Sequence, residues 1–287
     1  MNWLILAILT AFFESLKDLT SKRSLKTVDE YLVIWSLSGL SLPLLLFSLL
    51  FIDIPPLNWR FWLALITGGS LNIVAMILYI KALNLGDLSL TIPLVTFTPL
   101  FLIVTSPILV QEYPSYLDCL GIILIVFGAY LLNLKSRKEG YLAPFRALLT
   151  QNGAKLMLAV AMIWSIAANI DKLGVRNSSP IFWSIAIYSF IAIGLLPVVV
   201  YRCRVFSLKI TKHLPVLLPV GIFNGLAVML QMQAINLAMV AQVISVKRTS
   251  VLFSVFWGYL ILRETGLKER AIGAIIMVIG VFVVSLL

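Results

Sequence analysis

NIVAMILYIKALNL occupies residues 72–85, and NGLAVMLQMQAINL occupies residues 224–237. The two match at Asn72/Asn224, Ala75/Ala227, Leu78/Leu230, Ala82/Ala234, Asn84/Asn236 and Leu85/Leu237, all at one offset of 152 positions. Carried without gaps to residues 134 and 286, the same register pairs 15 identical residues out of 63. Glu112/Glu264, Gly121/Gly273 and Gly128/Gly280 are among them. An apolar composition accounts for matched Leu and Ile. It does not account for matched Asn, Glu and Gly in one register. A weaker correspondence, at an offset of 150, joins the opening of each half through Ser15/Ser165 and Lys22/Lys172.

The repeated unit is a membrane unit. Of 287 residues, 61% are hydrophobic and 12% charged, against roughly 45–50% and about 25% in a soluble domain. Apolar runs near 20 residues recur, the length a helix needs to cross a bilayer. Cut at charged and Pro/Gly-bearing connectors, the runs give ten expected spans: 2–20, 31–52, 59–83, 87–110, 115–134, 154–173, 180–201, 214–237, 240–262 and 267–287. The fold class expected is an all-α membrane protein of ten transmembrane helices. The first half covers 1–134, a polar connector 135–153, and the second half 154–287. The N-terminus has no basic n-region before its apolar run and carries Glu14, Lys17 and Asp18. It reads as a retained first span, not a cleaved signal peptide.

Five spans per half is an odd number, so the second half must enter the membrane from the opposite face. That makes an inverted repeat, an architecture suited to alternating access. A net charge of +10 would suggest nucleic acid for a soluble chain. Here the cations cluster between apolar runs and act as orientation signals. Seventeen of the 22 Lys and Arg fall on one side, which places that side in the cytoplasm and both termini outside. In a prokaryote the membrane would be the plasma (inner) membrane.

Ionisable and polar groups at membrane depth are site candidates by default. Lys247 and Arg248 stand together in VISVKRTSVLFSVFW, residues 243–257, about a third of the way into the ninth span. The matching positions of the first half are Val95 and Thr96, both neutral. A one-sided pair of cations suits an anionic group, and the planar Arg fork suits carboxylate or phosphate. The bland alternative is a structural pair with Glu14. Glu14 and Asp18 could balance charge or carry a coupling proton. Asn72 and Tyr79 share a face of the third span, and Asn224 and Gln231 hold the same places in the eighth. They read as cavity-lining residues or as hydrogen-bonding glue between helices.

The fourth span carries Pro93, Pro99 and Pro107 among Thr91, Thr96, Thr98 and Thr105. Each proline frees a backbone carbonyl, and threonine hydroxyls can satisfy it. Pro93, Thr96 and Pro99 are the expected gate. The ninth span has no proline. Gly121, Gly128, Gly273 and Gly280 allow close helix packing, within the chain or across a homodimer face. Glu112 and Glu264 each stand just before a following span and are expected to meet its positive helix end. His213 is expected on the surface of a connector.

Cys119 and Cys203 lie in no CxxC and near no His cluster, so metal and redox chemistry lack ligands, and no cofactor is expected. No GxxxxGK[ST] occurs, so ATP does not drive this chain directly. A membrane transferase would need clustered acids or His, and only Glu14 and Asp18 qualify.

Ten spans, a five-plus-five repeat, the Glu after the fourth span of each half and the glycines of the fifth resemble the drug/metabolite transporter superfamily, EamA type. The resemblance covers nearly the whole chain. It implies an inverted-repeat carrier, not an enzyme, that moves small molecules through a cavity lined by spans 1, 3, 4, 6, 8 and 9. Family members are often drawn with cytoplasmic termini, opposite to the charge count. SVKRTSVLFS, residues 245–254, is similar to the ninth span of plastid sugar-phosphate translocators, whose Lys-Arg pair holds phosphate. Those relatives add a Lys on the fourth span, where this chain has threonines. Phosphate and carboxylate therefore both stand as the implied anion, and amino acid or drug export is the alternative.

Overall fold

The computed structural model describes residues 2–85, 92–133, 146, 148, 150–203, 206–262 and 267–286. Among them there are helices and no strand. The helices are α1 (Asn2–Ser24), α2 (Glu30–Gly39), α3 (Leu42–Phe47), α4 (Trp59–Leu85), α5 (Thr98–Val110), α6 (Tyr116–Asn133), α7 (Asn152–Arg176), α8 (Pro180–Arg202), α9 (Phe206–Leu237), α10 (Val240–Lys247), α11 (Ser250–Leu262) and α12 (Leu267–Ser285). Short 3₁₀ segments cover Ser48–Phe51 and Ile92–Phe97.

Five helical stretches are long and apolar enough to cross a membrane: Glu30–Phe51, Trp59–Ala82, Asn152–Arg176, Pro180–Arg202 and Ile210–Leu237. Ten of spanning length were expected. The shortfall has physical causes. α1 is diluted by Glu14, Lys17, Asp18, Lys22 and Arg23. The ninth span is broken in two. Leu94–Val110, Tyr116–Leu132 and Ile272–Ser285 are apolar but shorter.

The chain forms two compact units, and neither is a sequence half. One unit combines residues 2–73 with 170–237, and the other combines 74–169 with 238–287.

In the unit of residues 2–73 and 170–237, α1 lies along α9, and α2 packs on α8 and α9. Asp29 caps α2 by accepting from the Tyr31 N–H at 3.0 Å, and Ser179 caps α8 by accepting from Phe182 N–H at 3.3 Å. The second span breaks between α2 and α3. Pro43 is the second residue of α3 and cannot donate to the Gly39 carbonyl four residues back. The neighbouring groups are met from α9 and locally: the Ser41 hydroxyl shares its one hydrogen between the Leu37 and Gly221 carbonyls, at 2.6 and 2.8 Å. Asn224 Nδ2 adds bonds to the Leu37 carbonyl at 2.7 Å and Ser41 Oγ at 3.2 Å. Trp183 is fully buried, its Nε1 donating to Asp171 at 2.9 Å, and its ring fills the space left by the missing side chain of Gly174. Lys172 is buried too, donating to the Ile235 carbonyl near the end of α9. It caps a helix C-terminus, where a positive charge is favoured. His213 lies inside α9, not in a connector, because that helix begins already at Phe206.

In the unit of residues 74–169 and 238–287, α6 lies along α12. A Cβ on Gly128 would stand 2.6 Å from the Gly273 carbonyl oxygen, and one on Gly280 would stand 2.8 Å from that of Gly121. Gly121 thus faces Gly280 and Gly128 faces Gly273, so the two helices run antiparallel. The glycine seam is spent inside the chain and not on a dimer face. Ala75 and Ala82 of α4 pack against Ala154, Met157 and Val160 of α7. Glu112 accepts from the backbone N–H of Val240 at 2.8 Å, and Asp118 accepts from Gln242 Nε2 at 2.7 Å. Glu112 therefore does meet a positive helix end, but that of α10 and not of the helix that follows it. Glu264 lies outside the described residues.

Candidate functional site

The cations of the ninth span do not interrupt a continuous helix, as the sequence suggested; they end one. Lys247 is the last residue of α10, Arg248 is its C-cap, and α11 starts at Ser250. Through the junction the backbone tightens to bonds three residues back, Thr249 N–H to Val246, Val251 to Arg248 and Leu252 to Thr249. Thr249 Oγ1 adds a bond to the Val246 carbonyl at 2.7 Å. A cation in the last helical turn meets the negative end of the helix dipole, a gain of about 0.3–1 kcal/mol at an exposed site. This explains how the fold tolerates a charge there. It does not explain why two are present.

The fourth span is irregular at the same register. Its 3₁₀ segment ends at Phe97 and α5 starts at Thr98. Moved by 152 positions, Thr98 falls on Ser250, the first residue of α11. The ninth span has no proline. It breaks all the same, so the irregularity belongs to the repeat and not to proline alone.

The two junctions meet through one hydrogen bond. Arg248 Nη2 donates to Thr98 Oγ1 at 2.9 Å, and Thr98 in turn donates to the Val95 carbonyl at 2.8 Å. Thr98 and Thr96 are each 2% exposed, while Lys247 and Arg248 are half-buried. Pro99 is the second residue of α5. The side chain of Pro93 and the whole of Thr91 lie outside the described residues.

Tyr79 pairs with Trp164, ring centroids 5.6 Å apart, and both pack on the buried cluster that Val95 and Phe97 of the 3₁₀ segment also cover. At the repeat offsets, Tyr79 falls on Gln231 and Trp164 on Glu14. One compact unit holds an aromatic pair at the positions where the other holds a carboxylate and an amide. Trp164 was missed by the sequence reading, though the offset that matched Ser15 with Ser165 points at it. Those two serines are both fully buried, and each hydroxyl bonds back to a carbonyl three residues earlier.

In the unit of residues 2–73 and 170–237, Glu14 is ion-paired with Lys17 of its own helix at 2.7 Å, and Lys17 also reaches Asp18 at 3.1 Å. Sequence alone named Lys17 without pairing it, yet its spacing of three from Glu14 puts both on one helix face. Gln231 is buried, Asn224 is spent partly on the break between α2 and α3, and Asn72 donates to the Gly68 carbonyl of its own helix at 3.0 Å. No cluster of three or more metal-ligating side chains occurs among the described residues.

A family model for the EamA-like transporter family matches residues 1–134 and again 151–286. The chain belongs to that family. The family is one of integral, multi-pass membrane transporters built from two repeats, and not one of enzymes. An uncharacterized transporter of Methanothermobacter thermautotrophicus is 28% identical over 186 residues, 64% of this chain and 52% of that protein. The chain thus spans about half the length of the curated relative it matches. A solved structure described only as the crystal structure of a protein superposes with a TM-score of 0.69 at 16% identity, over 99% of this chain and 95% of that one. That likeness shows the fold and nothing of its cargo.

Proposed function

We propose that this transporter is a secondary carrier that moves a small anionic or zwitterionic metabolite by alternating access between two inverted five-span repeats. The observation that carries the cargo class is the Arg248–Thr98 contact between two helix junctions of the same repeat register, with Lys247 one residue away. A carrier needs irregular backbone where cargo binds, because a regular helix has no polar backbone to offer. It needs charge where the cargo has the opposite charge.

The inverted arrangement draws support from the glycine seam. Gly121 faces Gly280 and Gly128 faces Gly273, and the offset makes Gly121 the mate of Gly273 and Gly128 the mate of Gly280. Each contact is the other with its partners exchanged. A two-fold relation generates such reciprocal contacts.

In this reading Lys247 and Arg248 hold the anion, and Tyr79 supplies an apolar wall. Pro93, Thr96 and Pro99 make the bending segment. In the other unit, Glu14 and Asp18 balance charge or carry a coupling proton, and Asn72, Asn224 and Gln231 offer polar groups to cargo. The functional halves are residues 1–134 and 154–287, joined by 135–153. The purified protein in liposomes should exchange labelled phosphorylated, carboxylate or amino-acid substrates in counterflow. Lys247→Ala and Arg248→Ala should each abolish that exchange. Unchanged exchange without both cations would refute the site.

A further inference from the structure

We infer that Thr98 is a positioning residue for Arg248: the first half of the chain orients the cation that the second half supplies. The inference rests on the reading of Arg248 as an anion-holding residue.

The reasoning starts from Pro99. In a regular helix the N–H of residue 99 would serve the carbonyl of residue 95, and proline has no N–H to give. The hydroxyl of Thr98 takes that place, donating to the Val95 carbonyl at 2.8 Å. A hydroxyl has one hydrogen and two lone pairs. With the hydrogen committed to Val95, Thr98 Oγ1 can offer Arg248 only lone pairs, and Arg248 Nη2 donates to it at 2.9 Å. Thr98 is 2% exposed and β-branched, so its side chain has little freedom to turn away. The guanidinium is a rigid plane of five donors, so fixing one N–H fixes the direction of the others. A long, flexible stem thereby becomes a preset fork. Pro99, Val95, Thr98 and Arg248 form one chain of cause, and removing any link loosens the last.

Thr98 has a plainer role to exclude, that of satisfying Val95 and nothing more. Two variants separate the roles. Thr98→Val removes both hydrogen bonds at nearly constant shape, and Thr98→Ser keeps both. Pro99→Ala restores an N–H for Val95, which releases the Thr98 hydroxyl from that carbonyl and regularises α5.

The test is counterflow in liposomes with labelled inorganic phosphate, a dicarboxylate and an acidic amino acid, using whichever the unsubstituted protein carries. Thr98→Val should raise KM about tenfold, the scale of one charge-assisted hydrogen bond, with kcat little changed. Thr98→Ser should restore KM. Pro99→Ala should raise KM while the unfolding temperature holds or rises, an outcome a structural role for Thr98 does not produce. If Arg248→Ala abolishes exchange while Thr98→Val and Pro99→Ala leave KM unchanged, the positioning role is overturned and the anion site stands. If Thr98→Val fails to fold, Pro99→Ala decides alone. If none of the three probes is carried, or Arg248→Ala exchanges normally, the anion reading falls and this inference falls with it.

Discussion

Glu112 and Val240, separated by 128 positions in sequence, are joined by a 2.8 Å hydrogen bond from the backbone N–H to the carboxylate. Val240 is the first residue of α10, the helix that ends at Lys247. Asp118 reinforces the joint through Gln242 at 2.7 Å. The first-half connector at 111–115 and the first turn of α6 therefore hold one end of a short helix whose other end carries the cations. Glu112→Ala should destabilise the protein by about 1–2 kcal/mol, the usual loss for a helix N-cap. Glu112→Gln, which keeps an acceptor, should cost less. Denaturant unfolding in detergent, followed by tryptophan fluorescence, measures both.

The glycine seam gives a second test. The Cβ of Gly128→Ala would lie 2.6 Å from the Gly273 carbonyl oxygen, which is backbone and cannot swing aside. α6 and α12 must part, at about 1–3 kcal/mol for an overpacked contact. Gly273→Ala should cost a similar amount, because its Cβ meets the Gly128 carbonyl at 2.9 Å. The double substitution should cost less than the sum, since the first has already parted the helices. Full additivity in thermal unfolding would mean that the two glycines do not share one contact.

Trp183 and Asp171 test the burial of polar groups in the other unit. The indole N–H donates to Asp171 at 2.9 Å with both residues buried. Trp183→Phe keeps most of the apolar packing and removes that donor. It should cost about 1–3 kcal/mol, the penalty for stripping a buried acceptor of a partner. Asp171→Ala in the same background should then cost less than it does alone. A double-mutant cycle on unfolding in detergent reads the coupling.

The division of the chain into apolar helices was legible because its signal is long. Apolar runs near 20 residues and a gap-free offset of 152 survive any error in a single boundary, and each expected span overlaps a helix or helix pair. What escaped was local backbone geometry. Nothing in VISVKRTSVLFSVFW marks a helix break at Thr249, since no proline or glycine stands within it. The break of the second span was readable from Pro43 but was not read. Candidate residues were legible as unusual side chains, and their partners were not, because partners such as Thr98 and Trp164 are ordinary residues made specific by packing. The offset itself was the unused instrument: it places Thr98 on Ser250 and Trp164 on Glu14 before any coordinate is known.

The charge cluster on α1 supplies the last prediction. Lys17 bridges Glu14 at 2.7 Å and Asp18 at 3.1 Å; the Lys17 and Glu14 side chains are 14% and 15% exposed, and that of Asp18 is 51% exposed. Removing one partner of a largely buried pair leaves the other charge without that counter-ion, which costs about 3–5 kcal/mol. Lys17→Met should therefore destabilise the protein strongly. Glu14→Gln in the Lys17→Met background should recover much of the loss, because the stranded charge is then gone. Asp18→Asn should recover little, since an exposed carboxylate is served by solvent. If Glu14 also carries a coupling proton, the doubly substituted protein will be stable and fold normally yet lose transport driven by a pH gradient, while counterflow, which needs no gradient, persists. Gradient-driven uptake equal to that of the unsubstituted protein would assign Glu14 to structure alone.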